Sequence, residues 1–130
     1  SIMRIRKVNF ERQCKLFSKY PKYFSNPEET AGSKTAWLAF PLLIKKNAPF
    51  TRKDMQIFLE KKQIQTRVVF TGNVLRQPML RGVEYREVEG GYPNADNIME
   101  RGILLPVHHG LTEAMFERFN SAIEEFVDRY

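Results

Sequence analysis

The chain has 130 residues and a mass of 15.3 kDa, a size that fits one domain with an ordinary hydrophobic core. A hydrophobic share of 42% excludes a disordered chain, and a single cysteine, Cys14, excludes a disulfide framework and a zinc site built from cysteines. No apolar run approaches the roughly twenty residues of a membrane helix, and no signal peptide is visible. We therefore expect a cytoplasmic domain without a membrane segment.

The net charge of +6 is concentrated near the amino-terminal end. Residues 4–22 carry seven basic side chains against Glu11 alone, whereas residues 23–130 are balanced. The basic residues are Arg4, Arg6, Lys7, Arg12, Lys15, Lys19 and Lys22. Three interpretations stay open: a solvated helix face, a docking surface for an acidic partner, or part of a larger protein that balances the charge. Nucleic-acid binding is a minority hypothesis, because a core-facing stripe explains the interleaved aromatic residues more simply.

The first predicted elements are a helix and a strand. Apolar residues three, four or seven positions apart predict an amphipathic helix over residues 2–20, ended by Pro21. The polar segment 25–34 is then a surface connection. The apolar stretch 36–45 predicts a strand covered on both faces, and Pro41, which has no N–H to donate, places it at a sheet edge or a bulge.

The middle of the chain contains a clear helix start. Thr51 is placed to cap a helix over residues 48–62, with Asp54 at its third position. Phe50 and Met55 flank the cap as the apolar pair that often packs together across a helix N-terminus, the hydrophobic staple. Beyond this helix, β-branched residues predict a strand over residues 64–70.

The remaining elements are shorter. A long loop over residues 71–82 precedes a weaker predicted strand over residues 85–88. A helix begins at residue 93 or 94 and ends at Gly102, and a last strand spans residues 103–107. Thr112 caps a final amphipathic helix. The order predicts an α+β or mixed α/β fold, with helices packed on a sheet of three or four strands.

Four polar residues of the middle region are candidates for binding. Arg67 is either a solvated or salt-bridged strand residue, the interpretation that composition favours, or a clamp for a carboxylate or phosphate. Asn73, Arg76 and Gln77 lie in the loop Gly72–Pro78. This loop is either a simple turn or a recognition element for a polyhydroxylated or phosphorylated ligand.

His108 and His109 are adjacent at a strand-to-helix junction. Neighbours on an extended chain point to opposite faces, so the pair is not expected to chelate one metal, and a hydrogen-bonding role for one of them is favoured. The sequence has no phosphate-binding glycine motif, no nucleophile elbow and no clustered carboxylate pair. The residues alone therefore indicate a binding or accessory domain.

Two longer stretches carry a family resemblance. TRVVFTGNVLRQP (Thr66–Pro78) and NADNIMERGILLPVHHGLTE (Asn94–Glu113) resemble the C-terminal small domain of the DegT/DnrJ/StrS sugar aminotransferase family, vitamin-B6 enzymes of fold type I. The stretches AWLAFP and APFTR match as well, and RKVNF resembles the family's long helix between large and small domains. The resemblance covers nearly the whole chain, residues 4–127.

The resemblance implies a domain division and a cofactor. Residues 1–22 would form the interdomain helix and residues 23–130 the small domain, with a mostly antiparallel sheet. The large domain that holds pyridoxal or pyridoxamine phosphate would precede them and is absent from the chain. The chain alone is then expected to be inactive and to bind no cofactor. An iron–sulfur cluster, which some members carry, would have its ligands in that large domain.

The stretch GNVLRQP implies a more specific function. It resembles 4-keto-6-deoxyhexose 3-dehydrases, whereas transaminases of the family tend to carry His-x-Q-P. The resemblance implies a homodimeric enzyme that acts on a nucleotide-linked, usually CDP-linked, sugar in deoxysugar synthesis for lipopolysaccharide O-antigen. It implies substrate binding by Arg67, Asn73, Arg76, Gln77 and His108, with no catalytic residue or metal ligand in this chain. A sugar aminotransferase, or an independent basic module that binds nucleic acid or protein, remains the alternative.

Overall fold

The computed structural model describes all residues, Ser1–Tyr130, as four α-helices and four β-strands. In chain order they are α1 (Ile2–Phe17), β1 (Phe24–Ser25), β2 (Phe40–Ile44), α2 (Arg52–Lys61), β3 (Arg67–Val68), α3 (Pro93–Arg101), β4 (Gly102–Leu105) and α4 (Glu113–Val127). Two single 3-10 turns, Val74–Arg76 and Pro78–Leu80, lie between β3 and α3. The strands form one antiparallel sheet in the order β1-β2-β4-β3. This confirms the predicted α+β class.

One face of the sheet packs against three helices to form the core. Phe40, Leu42 and Ile44 of β2 alternate with half-buried residues and join Ile103 of β4 in a single buried cluster. Helices α1, α2 and α4 supply the other half of that cluster. Phe17 of α1, for example, stacks on Phe40 with 5.6 Å between ring centroids. None of the four helices combines the length and apolar character that crossing a membrane requires.

The opposite face of the sheet carries only α3. This helix has no fully buried residue and lies against β2 and β4. Gly102 leaves room for Ile98 of α3 and for Val69, the residue after β3. A Cβ at this position would lie 2.6 Å from the main-chain oxygen of Ile98 and 2.8 Å from Cγ2 of Val69. The loop after β3 therefore lies beside α3, on the less covered side of the sheet.

The predicted helix starts agree with the structure. Thr51 Oγ1 accepts a hydrogen bond from the Asp54 main-chain N–H at 3.2 Å, and Asp54 Oδ2 accepts one from the Thr51 N–H at 2.8 Å. The Thr51 hydroxyl also donates to Asp54 Oδ2 at 2.7 Å, and this bond, followed by the one from the Thr51 N–H, holds the pKa of Asp54 below its usual value. Helix α3 begins at Pro93 with Gly102 as its C-cap, and Thr112 caps α4.

The prediction of an edge strand or bulge at Pro41 is wrong. Its strand, β2, lies between β1 and β4, and its register with β4 runs without a break from Phe40 to Leu43. Proline is tolerated in this central strand because β1 pairs only with Leu43 and Ile44, so β2 has one unpaired side at Pro41.

The other strand predictions were too long or misplaced. The strand predicted over residues 64–70 is reduced to Arg67–Val68, since Phe70 has a left-handed φ of 46° that turns the chain away. The strand predicted over residues 85–88 is wrong, because that segment is exposed and irregular. The two-residue strand β1 was not predicted.

Candidate functional site

Asp96, in the first turn of α3, is the centre of a polar cluster that joins this helix to the loop after β3. Its Oδ1 accepts hydrogen bonds from Asn73 Nδ2 at 2.8 Å and from Arg76 Nε at 2.9 Å, and its Oδ2 accepts one from Arg76 Nη2 at 2.9 Å. The bonds from Arg76, and then from Asn73, lower the pKa of the Asp96 carboxyl to about 2. Sequence reasoning missed Asp96, although an acidic residue in the first turn of a predicted helix was the available signal.

The other polar groups of the loop are bonded within the chain. The Asn73 side chain is only 5% exposed, and its Oδ1 accepts a hydrogen bond from the Leu75 N–H at 3.0 Å, which caps the first 3-10 turn. Gln77 Nε2 donates to the main-chain oxygen of Thr71 at 3.0 Å. Arg76 differs, because 60% of its side chain stays exposed beside the pair with Asp96. Its unused N–H groups are the part of this cluster that can reach a ligand.

Gly72 brings the loop into direct contact with α3. It has a φ of +64°, and a Cβ at this position would lie 2.2 Å from the Cβ of Met99. Next to this contact, Phe70 projects into solvent with 86% of its surface exposed. The loop between β3 and the 3-10 turns is therefore held by a glycine-dependent contact as well as by Asp96.

Arg67 lies on the edge strand β3, opposite Leu104 of β4. Its side chain is exposed and forms no hydrogen bond or ion pair with another residue of the chain. The salt-bridged interpretation is therefore excluded. The guanidinium is free to bind a carboxylate or phosphate with two parallel hydrogen bonds.

His108 lies three residues beyond Leu105, the last residue of β4. It follows Leu104, the residue opposite Arg67, by four positions, which corresponds to about 13 Å along an extended chain. Its main-chain oxygen accepts a hydrogen bond from Asn9 Nδ2 at 2.9 Å, and its Nδ1 accepts one from the Gly110 N–H at 3.2 Å. The structure thus brings together Asn73, Arg76 and Gln77, while Arg67 and His108 stand apart from them.

Metal binding finds no support in the arrangement of side chains. No three His, Cys, Asp or Glu side chains come close enough together to hold an ion. Cys14 is half-buried, and burial raises the pKa of its thiol, which disfavours the thiolate form that ligates metals.

Comparison with known proteins shows related sequences along nearly the whole chain. The lipopolysaccharide biosynthesis protein RfbH of Salmonella typhimurium is 33% identical over 121 residues, which cover 93% of this chain and 28% of RfbH. The dTDP-4-dehydro-2,6-dideoxy-D-glucose 3-dehydratase of Saccharopolyspora spinosa is 35% identical over 101 residues, which cover 78% of this chain and 22% of that enzyme. The chain therefore spans about a quarter of the length of these relatives.

Solved structures show the same fold. The E. coli GDP-4-keto-6-deoxy-D-mannose-3-dehydratase with bound hydrated PLP superimposes with a TM-score of 0.77 at 25% identity, over 92% of this chain and 30% of that one. The sequence profile of one family matches residues 1–124, which is most of the chain. The chain belongs to the DegT/DnrJ/EryC1/StrS aminotransferase family.

Proposed function

We propose that this chain is the C-terminal small domain of a nucleotide-sugar 3-dehydratase that uses pyridoxal or pyridoxamine phosphate. In this proposal, residues 1–22 connect to a preceding cofactor-binding domain and residues 23–130 form the small domain. The proposal is supported by two relatives named as 3-dehydratases, one similar in sequence and one in structure. The likeness to RfbH supports a place in lipopolysaccharide deoxysugar synthesis.

The observation that carries the dehydratase assignment is the pairing of Arg76 with Asp96. In the His-x-Q-P pattern of the transaminases that resemble this chain, the histidine falls at the position of Leu75 and the variable residue at Arg76, so neither position offers an imidazole here. Arg76 is held by two hydrogen bonds of 2.9 Å to one carboxylate, and a guanidinium remains protonated near neutral pH. This position can therefore donate hydrogen bonds but cannot move a proton, which suits a domain that binds substrate while proton transfer takes place elsewhere.

The site residues receive different roles in this proposal. Arg67, the exposed cation without a partner, would bind a phosphate of the nucleotide-linked sugar. Arg76 would offer its remaining N–H groups to the sugar, while Asn73 and Gln77 fix the loop that carries it. His108 would donate a hydrogen bond from its Nε2, because its Nδ1 already accepts one.

The residues of this chain do not fit the cofactor itself. The loop Thr71–Pro78 has no lysine, and its amide side chains are bonded within the chain. Cys14 alone provides one thiolate, whereas an iron–sulfur cluster takes up to four ligands from the protein. The cofactor, which supplies the electron sink for loss of the C3 hydroxyl, is therefore assigned to the preceding domain.

The test uses the full-length enzyme that contains this chain. It is given a 4-keto-6-deoxyhexose linked to CDP, dTDP or GDP, once with pyridoxamine phosphate and once with pyridoxal phosphate plus glutamate. We expect loss of the C3 hydroxyl in the first reaction. An amino sugar accumulating in the second, with the C3 hydroxyl intact in the first, would identify a transaminase and reject the proposal.

The proposed role of Arg67 is tested in the same enzyme. Losing a hydrogen-bonded contact to a charged group costs about 1.5–3 kcal/mol, so Arg67→Ala should lower kcat/KM by about tenfold to a hundredfold. Lys53→Ala is the control for loss of a positive charge, since Lys53 is exposed on α2, which does not carry any of the proposed substrate-binding residues. Equal kinetics for the two variants would remove Arg67 from the site.

A further inference from the structure

An open groove of about 540 Å³ lies where the end of β3 meets the start of α2 and the end of α3. We call it the β3–α3 groove. Its apolar lining comes from Val68, Phe70 and Met99, and Arg52 and Gln77 are among its polar residues. The substrate-binding roles proposed above account neither for the apolar side of this groove nor for Arg52.

Phe70 is the most exposed large apolar residue of the chain, with 86% of its surface accessible. Its φ of 46° lies in the left-handed region, which is a costly conformation for an aromatic residue. The chain thus keeps an apolar ring in water on a strained backbone, and neither feature stabilises its own fold. Backbone strain persists mainly at functional sites, and aromatic side chains are typical anchors of protein interfaces. Phe70 therefore marks a contact with a partner.

The turn that carries Phe70 is fixed by contacts within the chain. The Phe70 N–H donates to the main-chain oxygen of Val68 at 2.9 Å, and the Gly72 N–H donates to that of Val69 at 2.9 Å. Gly72 packs directly on Met99 of α3, since an added Cβ would lie 2.2 Å from the Met99 Cβ. The backbone below the ring is therefore ordered before a partner arrives, which lowers the entropic cost of binding.

Arg52 adds a positive charge that has no carboxylate partner in the chain. Its Nη1 donates to the main-chain oxygen of Met99, which fixes the guanidinium at the groove. Glu100 also lines the groove, but its carboxylate pairs with Arg101 at 2.8 Å, and no other Asp or Glu forms an ion pair with Arg52. A half-buried guanidinium with free N–H groups fits a partner that brings a carboxylate.

The position of the groove indicates which partner covers it. Phe70 lies between Arg67 and the loop Gly72–Pro78, the residues proposed to bind a substrate that reacts at a cofactor in the preceding domain. That domain must therefore approach the end of β3 that carries Phe70. The chain covers 28% of RfbH and 22% of the Saccharopolyspora spinosa 3-dehydratase, so most of such an enzyme lies outside this chain.

We propose that the β3–α3 groove is a docking surface for the cofactor-binding domain of the full-length enzyme. Phe70 inserts as the apolar anchor, and Arg52 pairs with a carboxylate of that domain. The choice of this partner rests on the proposed function, whereas the exposed ring, the strained turn and the unpaired cation do not.

The first test compares the full-length enzyme with the 130-residue chain by hydroxyl-radical labelling and mass spectrometry. We expect Phe70 to be labelled at least fivefold more slowly in the full-length enzyme, because only there is the ring covered. Tyr130, which is 49% exposed and lies outside the groove, should be labelled at similar rates in both. Equal rates for Phe70 in the two proteins would overturn the proposal.

A second copy of this chain is the alternative occupant of the groove. It would slow the labelling of Phe70 in the isolated chain as the concentration of the chain is raised. That result would overturn the proposal, which expects a labelling rate independent of concentration.

Substitutions separate docking from the folding of the small domain itself. Phe70→Asn removes the ring and tolerates a positive φ, so it should leave the thermal midpoint of the isolated chain unchanged or raise it. In the full-length enzyme it should lower the midpoint by about 3–5 °C, because an interface anchor is lost. Ile57→Asn, on the exposed side of α2 outside the groove, is the control and should shift both proteins equally.

Arg52→Gln should also lower the midpoint of the full-length enzyme more than that of the isolated chain, where only the bond to Met99 is affected. Equal shifts in the two proteins for Phe70→Asn and for Arg52→Gln would overturn the proposal.

Failure of this proposal is distinct from failure of the proposed function. An enzyme that removes the C3 hydroxyl while Phe70 is labelled as fast as in the isolated chain would retain the function and reject the docking surface. An enzyme that protects Phe70 but proves to be a transaminase would retain the docking surface and reject the dehydratase.

Discussion

At the scale of single residues, Asn73 holds two distant pieces of backbone together. It caps the first 3-10 turn and donates to Asp96 on α3, from a position where only 5% of it is exposed. Asn73→Ala removes both bonds and should lower the free energy of unfolding by about 1–3 kcal/mol. Urea denaturation measures the change. Asn94→Ala, on the exposed start of the same helix, is the control, and an equal loss in both variants would contradict this role for Asn73.

Asp96 should make the stability of the chain depend on pH in acid. Its pKa is about 2 in the folded chain against an ordinary value of 3.8. A carboxyl whose pKa is lowered by folding stabilises the fold above its unfolded pKa, and that contribution is lost as the pH falls from about 4 through 2. We expect the urea midpoint of the original chain to fall more steeply across this range than that of Asp96→Asn.

The comparison isolates Asp96 from the other acidic groups. The pKa values of Asp54, Glu113 and Glu125 are also lowered by hydrogen bonds, but all three are present in both proteins. Parallel curves for the original chain and Asp96→Asn between pH 4 and 2 would show that the cluster around Asp96 does not form in solution.

At the scale of elements, the spacing between the loop and α3 depends on Gly72. Gly72→Ala adds both the strain of a positive φ and a clash with the Cβ and Cα of Met99, at 2.2 and 2.5 Å. Gly82→Ala is a matched control, since Gly82 has a φ of +79° with nothing within 4 Å of the added Cβ. Conformational strain should cost about 1–2 kcal/mol in both variants, and overpacking about 1–3 kcal/mol more in Gly72→Ala. Equal unfolding free energies would mean that Met99 moves aside freely.

The elements that were predicted correctly are those determined by residues close together in the sequence. The start of α2 was predicted because its cap and the flanking Phe50 and Met55 lie within six consecutive residues. The strand β1 was missed because its two residues become a strand only by pairing with Leu43 and Ile44. The strand predicted over residues 85–88 has suitable side chains but no partner strand, and propensity alone does not form a sheet.

The same difference between local and long-range information explains which residues of the site could be predicted. Asn73, Arg76 and Gln77 were predicted as a group because they are neighbours in the sequence. Asp96, which pairs with Arg76 across 20 positions, and Arg52, which bonds Met99 across 47 positions, could not be predicted because only the fold brings these partners together.

At the scale of the whole molecule, the structure divides the basic helix α1 into two parts. One cation of α1 and one just after it contact α4. Arg12 pairs with Glu113 and lies 4.0 Å above the ring of Phe116. Lys19, two residues past α1, lies 3.4 Å from Glu124. Nearer the start, Arg4 and Lys7 are exposed and Arg6 is half-buried, while the apolar side chains of Ile2 and Met3 are exposed. Part of the charge therefore stabilises the fold, and the remainder faces solvent.

The exposed cations allow the nucleic-acid alternative to be tested. Four basic residues of this region remain exposed and without an ion pair: Arg4, Lys7, Lys15 and Lys22. If they act only as solvated charges, the chain should bind random duplex DNA with a dissociation constant of about 10⁻⁴ to 10⁻⁶ M, and log K should fall against log salt with a slope no steeper than about −4.

Charge reversal at the exposed start of α1 should reduce that slope in proportion to the phosphate contacts removed. Arg4→Glu combined with Lys7→Glu should make the slope shallower by about 2, because each lost contact releases about one counterion fewer. Lys53→Glu with Lys61→Glu, on the exposed surface of α2, makes the same change in net charge away from α1 and should alter the slope less. Fluorescence anisotropy at several salt concentrations measures both. Sub-micromolar, sequence-selective binding at physiological salt would contradict this expectation and favour a nucleic-acid-binding module over a domain of a sugar enzyme.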